Sequence, residues 1–407
     1  MNIRKLLLKY AAAALALLCL CACARVEAPA APPADPAPAP EQPAPAVPVE
    51  PDPVPEPEPE PEPDILLTIS AVGDDLLHNT LSWDSQAADG GYDFRPLYAP
   101  IAPYVKGSDI AFVNQEVMLT GEVSAYPRLA APAEAADGLI AAGFNVVNLA
   151  TNHTLDKGVD GLEACMENVA ARDFDAVLGV HDSQEDADEP VIIEKQGVRI
   201  GFLSYTYDLN GFTLPEGKEY MVDLIDEPKM VKDLQRIRPL CDYLIVSMHW
   251  GAEYQHEPGA WQRQLGQLLC DGGADLIIGT HPHVLQPAEW LKSDSGHETL
   301  CVWSLGNFIS GQHKSPTMVG GLLQMTVRFS PEHALLGVDD WGVAATVTHY
   351  DLGGGNYGVY ALADYTEEQA ANHGISSYDR AMSLSYAGEL AQTVLGDALI
   401  EPAARNG

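Results

Sequence analysis

Residues 65–72 form a nearly unbroken apolar run that ends in Gly73-Asp74-Asp75. A run of this length fits a strand buried on both faces, with its polar groups gathered at the carboxyl end. The same pattern returns four times. Residues 110–113 end in Asn114-Gln115-Glu116, 146–150 in Thr151-Asn152-His153, 243–248 in His249-Trp250-Gly251, and 276–279 in Thr280-His281-Pro282-His283. Helical periodicity over 133–142 and 158–171 falls between these runs, so strand and helix alternate as in a layered α/β fold.

A second group of strands lacks intervening helices. Residues 191–194 and 198–205, joined through Gln196-Gly197, predict a hairpin. Residues 299–308, 322–329 and 343–350 are rich in valine, threonine and aromatic residues and predict further strands. Together the two groups predict two sheets face to face with helices outside. Gly353-Gly354-Gly355 lacks the spacing of a phosphate loop and predicts a turn. The folded domain is placed at 65–365, followed over 366–407 by a helical extension that serves as a peripheral cap or tail.

The amino-terminal pattern differs in kind. Arg4, Lys5 and Lys9 precede a short apolar run, 11–20, and then Leu20-Cys21-Ala22-Cys23. Basic flank, short apolar core and a small residue before cysteine predict a lipoprotein signal peptide over 1–22. The run is short for a membrane span, so the expected arrangement is anchorage through a lipidated Cys23. Residues 23–64 are rich in alanine, proline and glutamate, and 56–63 alternate glutamate with proline. Proline fixes φ and the carboxylates repel, which predicts a disordered, extended tether reaching on the order of 100 Å at ~3.1 Å per residue.

Composition narrows the partners. The 407 residues are 46% hydrophobic, enough for a large core. With 22 basic against 58 acidic residues and a net charge of −36, the surface repels phosphate backbones, so nucleic acid is not an expected partner. Cys165, Cys241, Cys270 and Cys301 show no zinc-ribbon spacing, and their apolar settings predict buried free thiols.

The chemistry lies at the strand ends. Open α/β sheets bind ligands beyond the carboxyl ends of their strands, where Asp74, Glu116, Asn152, His153, His249, His281 and His283 all fall. Taken alone, each is an ordinary turn or core residue. His281 and His283 stand two apart, and strand alternation would point both rings to one face. Carboxylate oxygens, an amide oxygen and three imidazoles suit manganese, iron or zinc, whereas calcium prefers oxygen donors only. Asp74, Glu116, Asn152, His249, His281 and His283 exceed the needs of one tetrahedral ion. Two divalent metal ions sharing a carboxylate would use them all and would clamp a phosphoryl group.

Six blocks carry a family resemblance: Gly73-Asp74, Asn114-Gln115-Glu116, residues 150–158 around Asn152-His153, residues 249–254, residues 279–286 around His281-Pro282-His283, and Ser304-Leu305-Gly306-Asn307-Phe308. In this order they resemble the CapA/PgsA family of bacterial capsule and poly-γ-glutamate synthesis proteins, over residues 65–308. That family is similar to the calcineurin-like metallophosphoesterases, and the resemblance implies a four-layer α/β/β/α sandwich. It further implies that Asp74 and His283 bind a first metal, that Asn152, His249 and His281 bind a second, and that Glu116 bridges them. His153 would protonate the leaving oxygen and Asp156 would orient it. One position departs: the phosphoesterase pattern has histidine two residues after the first aspartate, and here that residue is Leu76, with His78 two places later.

The implied protein is a lipoprotein on the extracytoplasmic face of the bacterial membrane, acting in capsule or poly-γ-glutamate-type polymer synthesis beside membrane synthase subunits. Its reaction would be metal-dependent hydrolysis or transfer at a phosphoester or polymer linkage. The alternative is a non-catalytic accessory subunit that grips an anionic polymer. Trp250, Glu253 and Tyr254 are candidates to line the cleft, with core packing the competing role for Trp250.

Overall fold

The apolar runs all become strands, but they are shared between two sheets in a way their order does not reveal. The computed structural model describes residues 62–405. The expected signal peptide, Cys23 and all but the last residues of the tether lie outside the described residues. In chain order the strands are β1 (Ile65–Leu76), β2 (Ile110–Gln115), β3 (Val146–Asn148), β4 (Ala176–Leu178), β5 (Val191–Lys195), β6 (Val198–Thr206), β7 (Tyr243–His249) and β8 (Leu276–Thr280). They continue with β9 (Ala288–Lys292), β10 (Glu298–Val302), β11 (Asn307–Ser310), β12 (Val319–Phe329), β13 (Leu335–His349), β14 (Gly358–Ala361) and β15 (Leu399–Ile400).

One sheet runs β14-β13-β12-β1-β2-β3-β4, with β11 added beside β1 and β15 beside β13; the other runs β5-β6-β7-β8-β10-β9. The fold is therefore mixed α/β with two sheets. Strands β1, β2 and β3 pair in parallel, as do β6, β7 and β8, so each sheet collects the carboxyl ends of three strands on one edge.

Strand alternation explains why the runs are apolar without a break. In β7, Tyr243 and Ile245 face the core shared with the first sheet, while Leu244, Val246 and Met248 face a second core. That second core is closed by Met230, Leu234 and Ile237 of helix Glu227–Ile237 and by Leu265 and Leu269 of helix Ala260–Asp271. Those helices, and the short β4, were not foreseen.

The expected strand over 299–308 is two strands in different sheets. Residues 303–306 cross from β10 in one sheet to β11 in the other. Along the crossing, Leu305 N–H donates to Gly279 O (3.1 Å) and Gly306 O accepts from Asp74 N–H (2.9 Å). This segment ties the end of β8 to the end of β1. No side chain fits there: a Cβ on Gly73 would lie 1.9 Å from Gly306 O, and one on Gly279 would lie 1.9 Å from Trp303 O.

Residues 366–405 hold helices Glu367–Ala371 and Leu384–Leu395 and strand β15, which pairs with β13. Their Ala370, Ile375, Tyr386, Ala387, Ala391 and Leu395 belong to the same core as the strands of the first sheet. Gly353, Gly354 and Gly355 all take positive φ in the turn after β13. The four cysteines are free and buried. Among the described residues no helix is long and apolar enough to cross a membrane.

His373 fastens this segment, and its chemistry predicts an acid sensitivity. Its Nε2–H donates to Thr348 O (2.8 Å) while Nδ1 accepts from Ile375 N–H (3.0 Å), an arrangement open only to the neutral ring. Burial pulls its pKa from 6.5 down to about 4. Between those values the folded chain binds fewer protons than the unfolded one, so stability is intact above pH 6.5 and is lost as pH falls toward 4. We expect up to ~3 kcal/mol from this residue. Urea unfolding at several pH values should show the loss in the wild type and a flatter profile in His373→Gln; identical profiles would refute it.

Candidate metal centre

The carboxyl ends of β1 and β2 in one sheet and of β7 and β8 in the other meet where the crossing segment ties them together. Glu116 follows β2 directly, and both its carboxylate oxygens are buried with no hydrogen-bond partner. Ligand atoms of Glu116, His281 and His283 all lie within 4.8 Å of one another. Nδ1 of His281 is likewise buried without a partner. Buried polar atoms without partners are costly, and three donors aimed at one point account for them if a cation is bound there.

The two histidines reach this point by a different route from the one expected. Strand β8 ends at Thr280, so His281 and His283 do not share a strand face. They sit on the following loop with φ of 93° and 60°, left-handed conformations that cost a non-glycine residue of order 1–3 kcal/mol. His281 N–H donates to Asp74 Oδ1 (3.1 Å), which holds the turn. His283 Nδ1 lies 3.0 Å from Asp74 Oδ2 and 3.1 Å from Asn307 Oδ1. Both neighbours accept, so Nδ1 carries the proton and Nε2 keeps its lone pair, 3.8 Å from Glu116 Oε1.

Asp74 is thereby occupied. Its Oδ1 accepts from Asn114 Nδ2 (2.9 Å) and from His281 N–H, and its Oδ2 from His283. It stands behind His283, setting that ring's tautomer, and is not one of the three converging donors.

The remaining expected ligands also approach Glu116. His249, at the end of β7, points Nε2 at Asn152 Oδ1 (3.0 Å), and that Nε2 is 3.9 Å from Glu116 Oε1. Thr280 Oγ1 lies 3.0 Å from its Nδ1. Glu116 Oε1 is thus approached both by His283 and by His249, which is paired with Asn152. His153 Nδ1 is 2.7 Å from Asp156 Oδ2, which also accepts from Leu129 N–H (2.7 Å). Leu76 is buried at the end of β1, and His78 turns its Nδ1 back to Leu76 O (3.1 Å), outside the converging group.

The electrostatics favour a bound cation. Burial first, then the charges of Asp74, Glu253 and Asp156, pushes the Glu116 carboxyl well above the usual carboxylate range. Burial, followed by neighbouring imidazoles, holds His249 and His281 well below the usual histidine value. A divalent ion reverses both preferences, favouring the carboxylate and the neutral rings. The nitrogen and oxygen donors present therefore fit such an ion.

Several supporting residues were not singled out as functional. Asn114 and Asn307 bind Asp74 and His283. Asn210 Nδ2 lies 3.3 Å from His153 Nδ1, and Asn210 Oδ1 accepts from Asn152 Nδ2 (3.1 Å). Tyr207 packs against His281 with ring centres 4.5 Å apart and the rings tilted by 45°. The signal for Tyr207 lay in β6, which pairs in parallel with β7 and so ends at the same edge. Trp250 is fully buried against Trp303, so packing is its role. Tyr254 lies near His283, with ring centres 6.1 Å apart.

The family model described as "Bacterial capsule synthesis protein PGA_cap" matches residues 68–312. "PGA biosynthesis protein CapA" of Bacillus subtilis (strain 168) is 34% identical over 192 residues, covering 44% of this chain and 46% of that protein. "Capsule biosynthesis protein CapA" of Bacillus anthracis is 30% identical over 274 residues, covering 64% of each. The chain thus spans between about half and two thirds of the length of these relatives. Among solved structures, Haemophilus influenzae NAD nucleotidase (NadN) matches with a TM-score of 0.45 at 12% identity, over 84% of this chain and 65% of that one.

Proposed function

The chain belongs to the bacterial capsule synthesis protein family PGA_cap, and from that premise we propose that it acts in capsule or poly-γ-glutamate-type polymer synthesis through a dinuclear metal site centred on Glu116. The observation that carries the reading is the buried Glu116 carboxylate, without a partner and flanked by His283 at 3.8 Å and His249 at 3.9 Å. Glu116 would bridge two ions of manganese, iron or zinc, with His283 on one side and His249, Asn152 and His281 on the other. Asp74 would orient His283 and reach the first ion only if its hydrogen bonds rearrange.

When bound, the ions supply Lewis acidity at a phosphoryl or carbonyl oxygen and an activated nucleophile. The chain's own residues do the rest. Asp156 would hold the Nδ1–H of His153 and favour the doubly protonated ring, whose Nε2–H is then given to the leaving oxygen, and Asn210 lies against both His153 and Asn152. The finer reading of the fold is the four-layer α/β/β/α sandwich. The protein would sit on the extracytoplasmic face, tethered through a lipidated Cys23, beside membrane synthase subunits that make the polymer.

A second reading has one observation in its favour. Leu76 is buried where a further histidine would complete the first ion's ligands, which suits an accessory subunit that holds metal and polymer without turnover. Loading the purified chain with Mn²⁺ and assaying phosphomonoester, phosphodiester and polyglutamate hydrolysis separates the two. Turnover that disappears in His281→Ala supports the enzyme; metal binding with no turnover of any substrate refutes it.

A further inference from the structure

In a chain with 58 acidic residues against 22 basic ones, a lysine or arginine usually finds a carboxylate. Lys195, Arg199, Lys218, Lys229 and Arg238 all do, at 2.6–2.8 Å. Arg128 and Lys314 are exposed and, like Lys106, Lys157, Lys232, Arg380 and Arg405, have no carboxylate oxygen within 4.0 Å among the described residues; what sets these two apart is their place beside the metal centre. Each lies over an aromatic ring. Lys314 Nζ is 3.2 Å from the centre of Tyr254, and Arg128 Cζ is 5.0 Å from the centre of Phe212.

One pair lies beside His283, and the other is carried by segments that touch the His153–Asp156 pair. Tyr254 lies beside His283 and receives a weak hydrogen bond from Gln312 Nε2 (3.4 Å); Gln312 Oε1 in turn accepts from Asn307 Nδ2 (2.9 Å), and Asn307 holds His283. Phe212 follows Asn210, which contacts His153 and Asn152, and Arg128 precedes Leu129, whose N–H holds Asp156. The loop that carries Arg128 also carries Tyr126, 75% exposed. A cation laid on a ring keeps its remaining donors free for an anion, and the ring holds it in place.

We propose that Arg128–Phe212 and Lys314–Tyr254 form two anion-reading subsites flanking the metal centre, and that together they select a chain bearing repeated carboxylates over a small single-charged ester. This rests on the polymer reading above and names the residues that would impose it. A polycarboxylate long enough to extend from the centre past His283 and past the His153–Asp156 pair would come within reach of both cations, whereas a small ester held by the centre alone would meet neither. The contacts are surface ones, so each contributes modestly and they act by adding together.

The test is binding of a fluorescent polyglutamate oligomer to the full chain by anisotropy, with Arg128→Ala, Lys314→Ala and the double variant. Each single change should weaken binding about three- to tenfold at low salt, and the double change more, with high salt erasing the difference. Arg128→Lys and Lys314→Arg should restore most of the affinity, which loss of packing alone would not allow. Turnover or binding of a small phosphomonoester should stay at the wild-type level. The same series in the His281→Ala background separates this proposal from the metal reading: loss of polymer binding on removing the cations there supports the subsites whatever the centre does. Unchanged polymer affinity in the double variant, or equal loss with an uncharged polymer, overturns it. An oligonucleotide that binds as well as polyglutamate and loses affinity equally would show general anion binding and overturn the selectivity.

Discussion

Replacing Glu116 with glutamine is expected to erase the stabilisation that divalent metal confers on this protein while leaving the metal-free fold standing. The carboxyl is fully buried, neither oxygen has a partner, and burial with the charges of Asp74, Glu253 and Asp156 drives its pKa far upward. The metal-free protein therefore carries an acid that resists ionising beside two imidazoles, His249 and His281, that resist protonation. Glutamine has the same shape and no charge to bury, so it spares the metal-free fold that cost and removes the carboxylate that both His283 and His249 approach. With metal at a hundred times its dissociation constant, the wild type should gain about 2.7 kcal/mol. Urea or thermal unfolding titrated with Mn²⁺ and Zn²⁺ should show that gain, and Glu116→Gln should show a flat response. A wild type indifferent to both metals, or a variant that keeps the gain, removes the basis for a metal centre here.

The strand ends were legible because their signal is local. Unbroken apolar runs such as residues 65–72 and 243–248 are buried on both faces over most of their length, and polar residues return toward the strand's carboxyl end, as at Asp74 and His249. Sheet membership was not legible, because pairing is settled by partners far along the chain. Strand β1 takes β12 on one side, with Ile65 opposite Phe329, and no property of 65–72 records this. The split of 299–308 was hidden for a related reason: the crossing at 303–306 is itself buried and reads as apolar. The helices Glu227–Ile237 and Ala260–Asp271 were passed over because each shows a narrow apolar stripe among charged or amide residues.

The candidate centre shows the same division. Which residue types gather at the edge could be read from the runs, and His281 and His283 do come together with Glu116. The reason given from alternation was mistaken. Their convergence depends on a loop beyond Thr280 with two left-handed histidines, and nothing in a histidine codon announces a positive φ. The occupation of Asp74 was equally hidden, since it takes Asn114, the His281 amide and His283 to surround it, and these come from three separate stretches of chain.

Replacing His153 with alanine is expected to slow hydrolysis by an amount that depends on the leaving group, and this dependence, more than the loss itself, bears on the role of His153. General acid catalysis contributes about 10²–10⁴-fold where the departing oxygen needs a proton. An alkoxide leaving group needs one and a nitrophenolate does not. His153→Ala should therefore lose about 10²–10³-fold on alkyl phosphoesters and far less on a nitrophenyl ester. Asp156→Asn should follow the same pattern more mildly, because the amide can present its NH₂ to Nδ1 and draw the proton to the wrong nitrogen. Neither residue belongs to the converging donors, so both variants should keep the metal-dependent gain in stability that Glu116→Gln loses. Uniform loss across leaving groups would make His153 a positioning residue. Loss of metal stabilisation in His153→Ala would draw it into the ligand set, and the division of labour between the Glu116 cluster and the His153–Asp156 pair would fall with it.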